Sequence, residues 1–240
     1  MYDSITYSLL RCLDVPNLHD PADMTSCEHF LCLYISDHGV ECIHRLDLQG
    51  SATQWPVSDE PFTLSVNAAH NVLVTCPFVR SLIKEFSPRG DLLRDVTLPD
   101  DIIHLAHAIQ LTSGQFIVCH GSNLRGDRVH RVCRVSADGR EIVNSHGGQP
   151  GSDTGQYKGP THLAVDNNEF VFVADRNNQR VTLLSPTLNY IRQVVSRDQV
   201  KWQPRRLCLD VQRRRLYVAD NEWSGKKGKL IAGRVVVFSV

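Results

Sequence analysis

Three groups of residues in this chain have the types that chemistry uses. His104-Leu-Ala-His107 sets two imidazoles three residues apart, the beginning of a metal site. Asp175, Asn178 and Arg180, within "FVFVADRNNQRVTLL" (170–184), bring an acid, an amide and a base to one polar loop. "GGQPGSDTGQYKG" (147–159) has the glycine content of a phosphate-cradling loop. The first and third fail in their context, and in the second Asp175 and Asn178 read as residues that fix the turn through side-chain-to-backbone hydrogen bonds. The histidines lie in strand-like sequence, where a spacing of three puts side chains on opposite faces, and no glutamate follows at zincin spacing. The glycine-rich stretch runs into a strand and not into the helix N-terminus that a phosphate needs. Asp100-Asp101 reads as a turn pair, and neither a G-x-S-x-G elbow nor a Walker loop is present. The sequence therefore predicts no catalytic residue, no metal ligand and no cofactor.

The elements that must position these residues come from a repeat. "LAVDNNEFVFVAD" (163–175) recurs as "LCLDVQRRRLYVAD" (207–220), and more faintly as "LSVNAAHNVLVTC" (64–76), "MTSCEHFLCLYISD" (24–37) and "IQLTSGQFIVCH" (109–120). Each reads as two alternating apolar runs around a polar turn, which is a β-hairpin. The anchors Asp37, Cys76, His120, Asp175 and Asp220 are 39, 44, 55 and 45 residues apart. A third strand follows each hairpin and a fourth follows most, with turn glycines at Gly50, Gly90 and Gly139. Four short strands repeating every 40–55 residues predict an all-β propeller of four-stranded antiparallel blades. The expected units span about 20–58, 60–99, 102–146, 157–196 and 202–240 of a single domain. The last unit stops after its third strand. "LLRCLDVP" (9–16) matches the fourth-strand segment "LLRDVTLP" (92–99), so residues 5–16 are expected to supply the missing outer strand and close the ring.

"GQYKGPTHLAVDNNEFVFVADRNNQRVTLLSP" resembles an NHL repeat, with a proline before the first strand, V-A-D, and Asn-x-Arg-Val after it. "WQPRRLCLDVQRRRLYVAD" is similar, whereas the other three units lack the Asp or the Asn-x-Arg. The resemblance implies a propeller, usually six-bladed, of the kind found in tripartite-motif proteins. It further implies a non-catalytic recognition module that binds a protein partner, including substrates of ubiquitin ligases, or single-stranded RNA. Nothing in the chain resembles a RING, so any ligase activity would belong to another region.

Composition narrows the class. The chain has 240 residues, 42% of them hydrophobic, enough for one sizeable core. Its start lacks a basic region followed by an apolar one, and no apolar run reaches the roughly 18 residues of a membrane span. The eight cysteines include no C-x-x-C pair and mostly fall in apolar strands, which predicts reduced thiols and an intracellular, cytoplasmic setting. The zero net charge is uneven: residues 1–120 carry 6 Lys/Arg against 15 Asp/Glu, and residues 121–240 carry 20 against 11. In a propeller the loops between strands two and three share a face with the connections between blades. That places Arg125, Arg128, Lys158, Arg176, Arg180, Arg205, Arg206, Lys226 and Lys227 on one basic face, with Tyr157, Trp202 and Trp223 among them. Such a face suits an acidic protein segment, or single-stranded RNA as the second choice. A metal-dependent lyase or hydrolase with a central-channel site is the third reading. It needs inward-facing His, Asp or Glu on the first strands, and "HLAV", "RLCL" and "TLSV" read as too apolar.

Overall fold

The computed structural model describes residues 12–78, 80–121, 126, 128–224 and 229–240, with the backbone alone at 223, 224 and 229–231. Blade 1 is β1 (Pro21–Cys27), β2 (Cys32–Asp37), β3 (Cys42–Asp47) and β4 (Ala52–Pro56); blade 2 is β5 (Leu64–Val66), β6 (Val72–Cys76), β7 (Leu82–Phe86) and β8 (Leu92–Thr97). Blade 3 is β9 (Leu105–Gln110), β10 (Phe116–His120), β11 (His130–Val135) and β12 (Ile142–Gly148). Blade 4 is β13 (Pro160–Val165), β14 (Val171–Asp175), β15 (Arg180–Leu184) and β16 (Tyr190–Val195). Blade 5 is β17 (Gln203–Asp210), β18 (Arg215–Ser224) and β19 (Lys229–Ser239). Every strand pairs antiparallel with its sequence neighbour, giving four four-stranded sheets and one three-stranded sheet. The fold is the expected β-propeller, with five blades. A 3-10 turn at Arg176–Asn178 interrupts the β-structure in blade 4.

Burial follows strand order, as strand composition dictates. The second strands β6, β10 and β14 are buried throughout, while β8 and most of β12 and β16 face outwards. The first strands β1, β5, β9, β13 and β17 pack on one another around the channel. Turn chemistry sets the blade corners. Gly90 sits at φ +97°, and a Cβ there would lie 2.6 Å from the Trp55 ring, so only glycine lets blade 2 pack on Trp55 of blade 1.

Four apolar clusters fill the seams between successive blades. Tyr34, Trp55 and Phe86 pack between blades 1 and 2, and Ile83, Leu105 and Phe116 between blades 2 and 3. Ile117, Tyr157 and Val173 fill the third seam, and Phe172, Val181 and Leu216 the fourth. The seam between blades 5 and 1 is different. Among the described residues no buried apolar cluster joins them; the link is Arg206 of β17. Its Nε donates to Asp23 Oδ1 at 2.6 Å and its Nη2 to the Ala22 carbonyl at 2.7 Å. Of the closing strand expected over residues 5–16, residues 5–11 lie outside the described residues, and residues 12–16 are not in a strand.

The ionic seam makes a stability prediction. Arg206→Ala leaves the Asp23 carboxylate buried without its counter-charge and should cost roughly 3–5 kcal/mol in chemical denaturation. The double variant Asp23→Leu/Arg206→Leu, which removes both charges, should recover part of that loss. A single variant as stable as the parent would show that the ring does not depend on this pair.

The thiols make a second. All eight cysteines are free, six of them buried, with Cys12 and Cys208 exposed. Burial pushes the Cys76 and Cys133 thiols up to about 12. A thiol-specific reagent should therefore modify two cysteines quickly in the native protein and all eight after denaturation.

Candidate functional site

In four of the five blades a β-bulge near the start of the inner strand resets which residue faces the channel mouth. In blade 1, Pro21 pairs with Asp37 and Asp23 with Ser36, so Ala22 is the bulged residue. The same step occurs at Ala106, Thr161 and Arg205 in blades 3, 4 and 5. In blade 2, Thr63 answers the same position through its hydrogen bonds to Thr75. The residues just after the bulge form one ring of equivalent positions: Asp23, Thr63, His107, His162 and Arg206.

These side chains tie each blade to the next. Asp23 Oδ2 accepts from the Leu64 N–H at 2.9 Å, His107 Nδ1 from Leu163 N–H at 3.3 Å, and His162 Nδ1 from Leu207 N–H at 3.3 Å. With Nδ1 accepting, each imidazole carries its proton on Nε2, an assignment that follows from the hydrogen-bond partners. His107 donates that proton to the Leu64 carbonyl at 3.2 Å. His162 Nε2 faces Asp23 Oδ2 at 3.7 Å, longer than a hydrogen bond. The two imidazoles stack, with centroids 3.8 Å apart and planes 23° apart.

The electrostatics follow from burial. Burial pushes both histidines down, His107 well below its ordinary value, where the charge of His162 adds to the effect. Two neutral rings can stack, whereas two cations would repel. Burial alone would push the Asp23 carboxyl up. The Arg206 charge, with His162 close by, outweighs it and holds the group well below the usual carboxylate range. Burial, with the charges of Arg176 and Arg206, brings Arg205 down to about 10.

Asp23, His107 and His162 each offer a ligand atom within 4.8 Å of the others, the donor set of a possible metal centre. As arranged it does not fit one. Stacked rings 3.8 Å apart hold their in-plane lone pairs in two separate, nearly parallel planes and not at a common point. Both nitrogens of His107 are already bonded to backbone, and Arg206 holds the carboxylate. The sequence reading placed His107 beside His104. The structure sets it against His162 and Asp23, which lie 55 residues downstream and 84 residues upstream in the chain.

The expected basic face divides into groups with different fates. Arg180 is 13% exposed; it pairs with Asp175 at 2.8 Å and donates to the carbonyls of Ser152, Asp153 and Gln156. Asn178 Nδ2 bonds the same carboxylate at 2.7 Å. The Asp175–Asn178–Arg180 group is thus a blade corner, and Asp220 with Arg234 repeats it in blade 5. Arg206 is committed to Asp23, Arg176 is buried, and Arg205 is half-buried. Arg128 and Lys158 are exposed. Lys158 and Arg180 line a polar cavity of about 380 Å³ with Ser152, Asn177, Gln193 and Arg197. Tyr157, expected among the basic residues, is buried at 1% exposure, while Trp202 lies under Lys201 at 4.5 Å. Arg125, Lys226 and Lys227 lie outside the described residues, and only the backbone of Trp223 is described.

No protein-family model matches the chain, and no curated protein matches it in sequence. Its likeness to NHL repeats therefore stays at the level of motifs. Solved structures match it over most of its length. The chain is similar to virginiamycin B lyase from Staphylococcus aureus, with a TM-score of 0.63 and 14% identity over 95% of this chain and 73% of the lyase. A catalytically inactive histidine-to-alanine form of that lyase with quinupristin gives the same figures. A Bacteroides caccae protein of unknown function has a TM-score of 0.65 and 16% identity, covering 91% of this chain and 77% of that one. A gluconolactonase from Xanthomonas campestris has a TM-score of 0.56 and 14% identity, covering 78% of this chain and 65% of that one. At these identities the likeness shows a shared propeller fold. The expectation of a non-enzymatic module with no catalytic constellation is corrected on two grounds. The similar propellers include enzymes, and the inner strands, read from sequence as too apolar, bring an acid and two histidines together at the channel mouth.

The histidines predict a pH dependence. A histidine held neutral by the fold takes up a proton more readily once unfolded, so stability is full above the unfolded value and falls as pH drops below about 6.5. The melting temperature should decline between about pH 7 and pH 5, ahead of any loss from Asp23, whose depressed value acts at lower pH. His107→Gln should flatten that part of the profile; an unchanged slope would show that the ring is not buried neutral.

Proposed function

We propose that this chain is a propeller enzyme of the lyase or hydrolase type, with its reacting centre at the channel mouth. The observation that supports it most is the couple formed by His162 Nε2 and Asp23 Oδ2. One is a donor and the other an acceptor, 3.7 Å apart, each on a residue 8% exposed. The gap is too long for the two to satisfy each other and short enough for one substrate atom or water to touch both.

Such a couple does a definite kind of work. Asp23, ionised because Arg206 stabilises its charge, accepts a proton from a water that attacks an ester and returns it to the alkoxide that leaves as the ester C–O bond breaks. In the lyase case it takes the proton from a carbon beside a carbonyl and returns it to the β-oxygen whose C–O bond breaks as the double bond forms. Asp23 is a weak base, so the rate must come from stabilising the negative charge that develops on the substrate oxygen. His162, kept neutral by burial, supplies its Nε2–H for that purpose, and a neutral imidazole is a suitable electrophile for such an oxygen. The inner-strand register holds both groups before substrate arrives, which is the geometric requirement of electrostatic catalysis. The similar propellers that are a virginiamycin B lyase and a gluconolactonase support this class of chemistry.

Purified protein should turn over one of two probes, gluconolactone or a streptogramin B. His162→Gln, whose amide can still accept the Leu207 N–H, should lower kcat about 100-fold or more with little change in melting temperature. A parent protein inert towards both probes, or a His162→Gln variant of full activity, would refute the reading.

A further inference from the structure

The glycine-rich stretch at 147–159 has no part in the channel mouth, yet the fold builds a hollow with it. A cavity of about 380 Å³ opens on blade 4. Lys158 lines it from the end of the stretch, Asn177, Gln179 and Arg180 from the corner after β14, and Gln193 and Arg197 from β16 and the turn that follows. None of the five ring residues of the channel mouth is in its lining.

The wall is fixed before any ligand arrives. Asn178 donates to the Gly151 carbonyl at 2.8 Å, and Arg180 donates to the Ser152 carbonyl at 2.9 Å and the Gln156 carbonyl at 2.6 Å. Asp175 anchors these two side chains and also accepts from the Lys158 N–H at 2.8 Å. Gly159 sits at φ +76°, and a Cβ there would lie 2.8 Å from Asn177 Nδ2, so glycine lets the corner close on the stretch.

What the wall presents is one-sided. Among the described residues the lining holds no acid, no aromatic ring and no aliphatic side chain. Asp175 neutralises Arg180. Lys158 and Arg197 are exposed, and among the described residues neither side chain meets a carboxylate or a carbonyl. The side-chain amides of Gln179 and Gln193 are likewise uncommitted. Two positive charges thus share one concave surface with amides that each offer a donor and an acceptor. A cleft lined by one sign of charge concentrates ions of the opposite sign.

The chemistry of the lining selects the guest. Lysine as a point charge and arginine as a planar fork are the side chains that bind phosphate. A phosphomonoester carries about 1.5 to 2 negative charges near neutral pH, which matches two uncancelled cations. Amides suit hydroxyl groups, which donate and accept together. Without an aromatic or apolar surface the cavity has nothing on which a base or an aliphatic chain could lie. We infer that this cavity binds a small phosphorylated polyol of the sugar-phosphate class. Lys158 and Arg197 hold the phosphate, and Gln179 and Gln193 hold the hydroxyl groups. The site is separate from the channel mouth, and its occupancy does not depend on the chemistry proposed there.

Titration calorimetry of the full chain at constant ionic strength, with ribose 5-phosphate, ribose and inorganic phosphate as probes, tests the site. Ribose 5-phosphate should bind saturably, inorganic phosphate about tenfold more weakly, and ribose more weakly still. Lys158→Gln and Arg197→Gln should each weaken ribose 5-phosphate about tenfold or more, with no fall in melting temperature, because exposed charges contribute little to stability. Gln193→Leu should weaken ribose 5-phosphate and leave inorganic phosphate unchanged. Arg89→Gln, which removes an exposed cation from the turn after β7 in blade 2, should bind like the parent. His162→Gln should also bind like the parent, so the cavity stands or falls apart from turnover at the channel mouth. Absence of saturable binding overturns the assignment. So does equal affinity for ribose 5-phosphate and inorganic phosphate, or a loss in Arg89→Gln as large as that in Arg197→Gln, which would mark a response to net charge alone.

Discussion

The ion pair between Arg206 and Asp23 is the constraint on which the channel depends. Four of the five blade seams are filled by apolar clusters whose burial drives their closure. At the fifth, among the described residues, closure falls to a guanidinium, a carboxylate and one backbone carbonyl. An ion pair is a poorer glue than a buried cluster, since desolvation offsets much of its attraction, but it is far more directional. Asp23 also receives the Leu64 N–H and faces His162, so one carboxylate gathers contacts from blades 2, 4 and 5. Closing the ring and assembling the mouth are one event.

That sharing explains why the site is stiff. His107 and His162 each accept a backbone N–H from the following blade, so neither ring can turn without weakening a seam. The stack of the two imidazoles adds a second restraint, valid only while both are neutral, and burial keeps them so. Rigidity imposed by the scaffold is what electrostatic stabilisation of a developing charge requires. The same rigidity works against a cation, because lone pairs fixed in parallel cannot converge on it.

The repeat was legible because it rests on local rules. Alternation marked the strands, Gly90 marked a corner that admits no Cβ, and the recurring Asp37, Asp175 and Asp220 marked the position that holds the N–H groups of the entering loop. The channel was misread because a bulge breaks alternation. Period-two reading gives "HLAV" one polar residue at its edge, and the bulge carries that residue, His162, inward. "PADMTSC" and "LAHAIQ" hide Asp23 and His107 in the same way. A usable signal was present. Counting back 13 or 14 residues from the five anchors lands on Asp23, Thr63, His107, His162 and Arg206. The clustering of polar types at that one column departs from the apolar columns beside it.

The charge asymmetry takes on a different meaning in this light. Arg180 and Arg234 are counter-ions to the buried corner acids Asp175 and Asp220, and in blade 1 His44 Nε2 lies 3.3 Å from Asp37 Oδ2 at the equivalent corner. Part of the basic excess in the C-terminal half is therefore internal bookkeeping of the repeat and projects little field. What remains after those pairs are removed is not spread evenly over a face. Arg206 meets the Asp23 carboxylate at the seam where the ring closes and where, among the described residues, hydrophobic burial contributes least. Positive charge placed there weakens the closure that apolar residues would have strengthened.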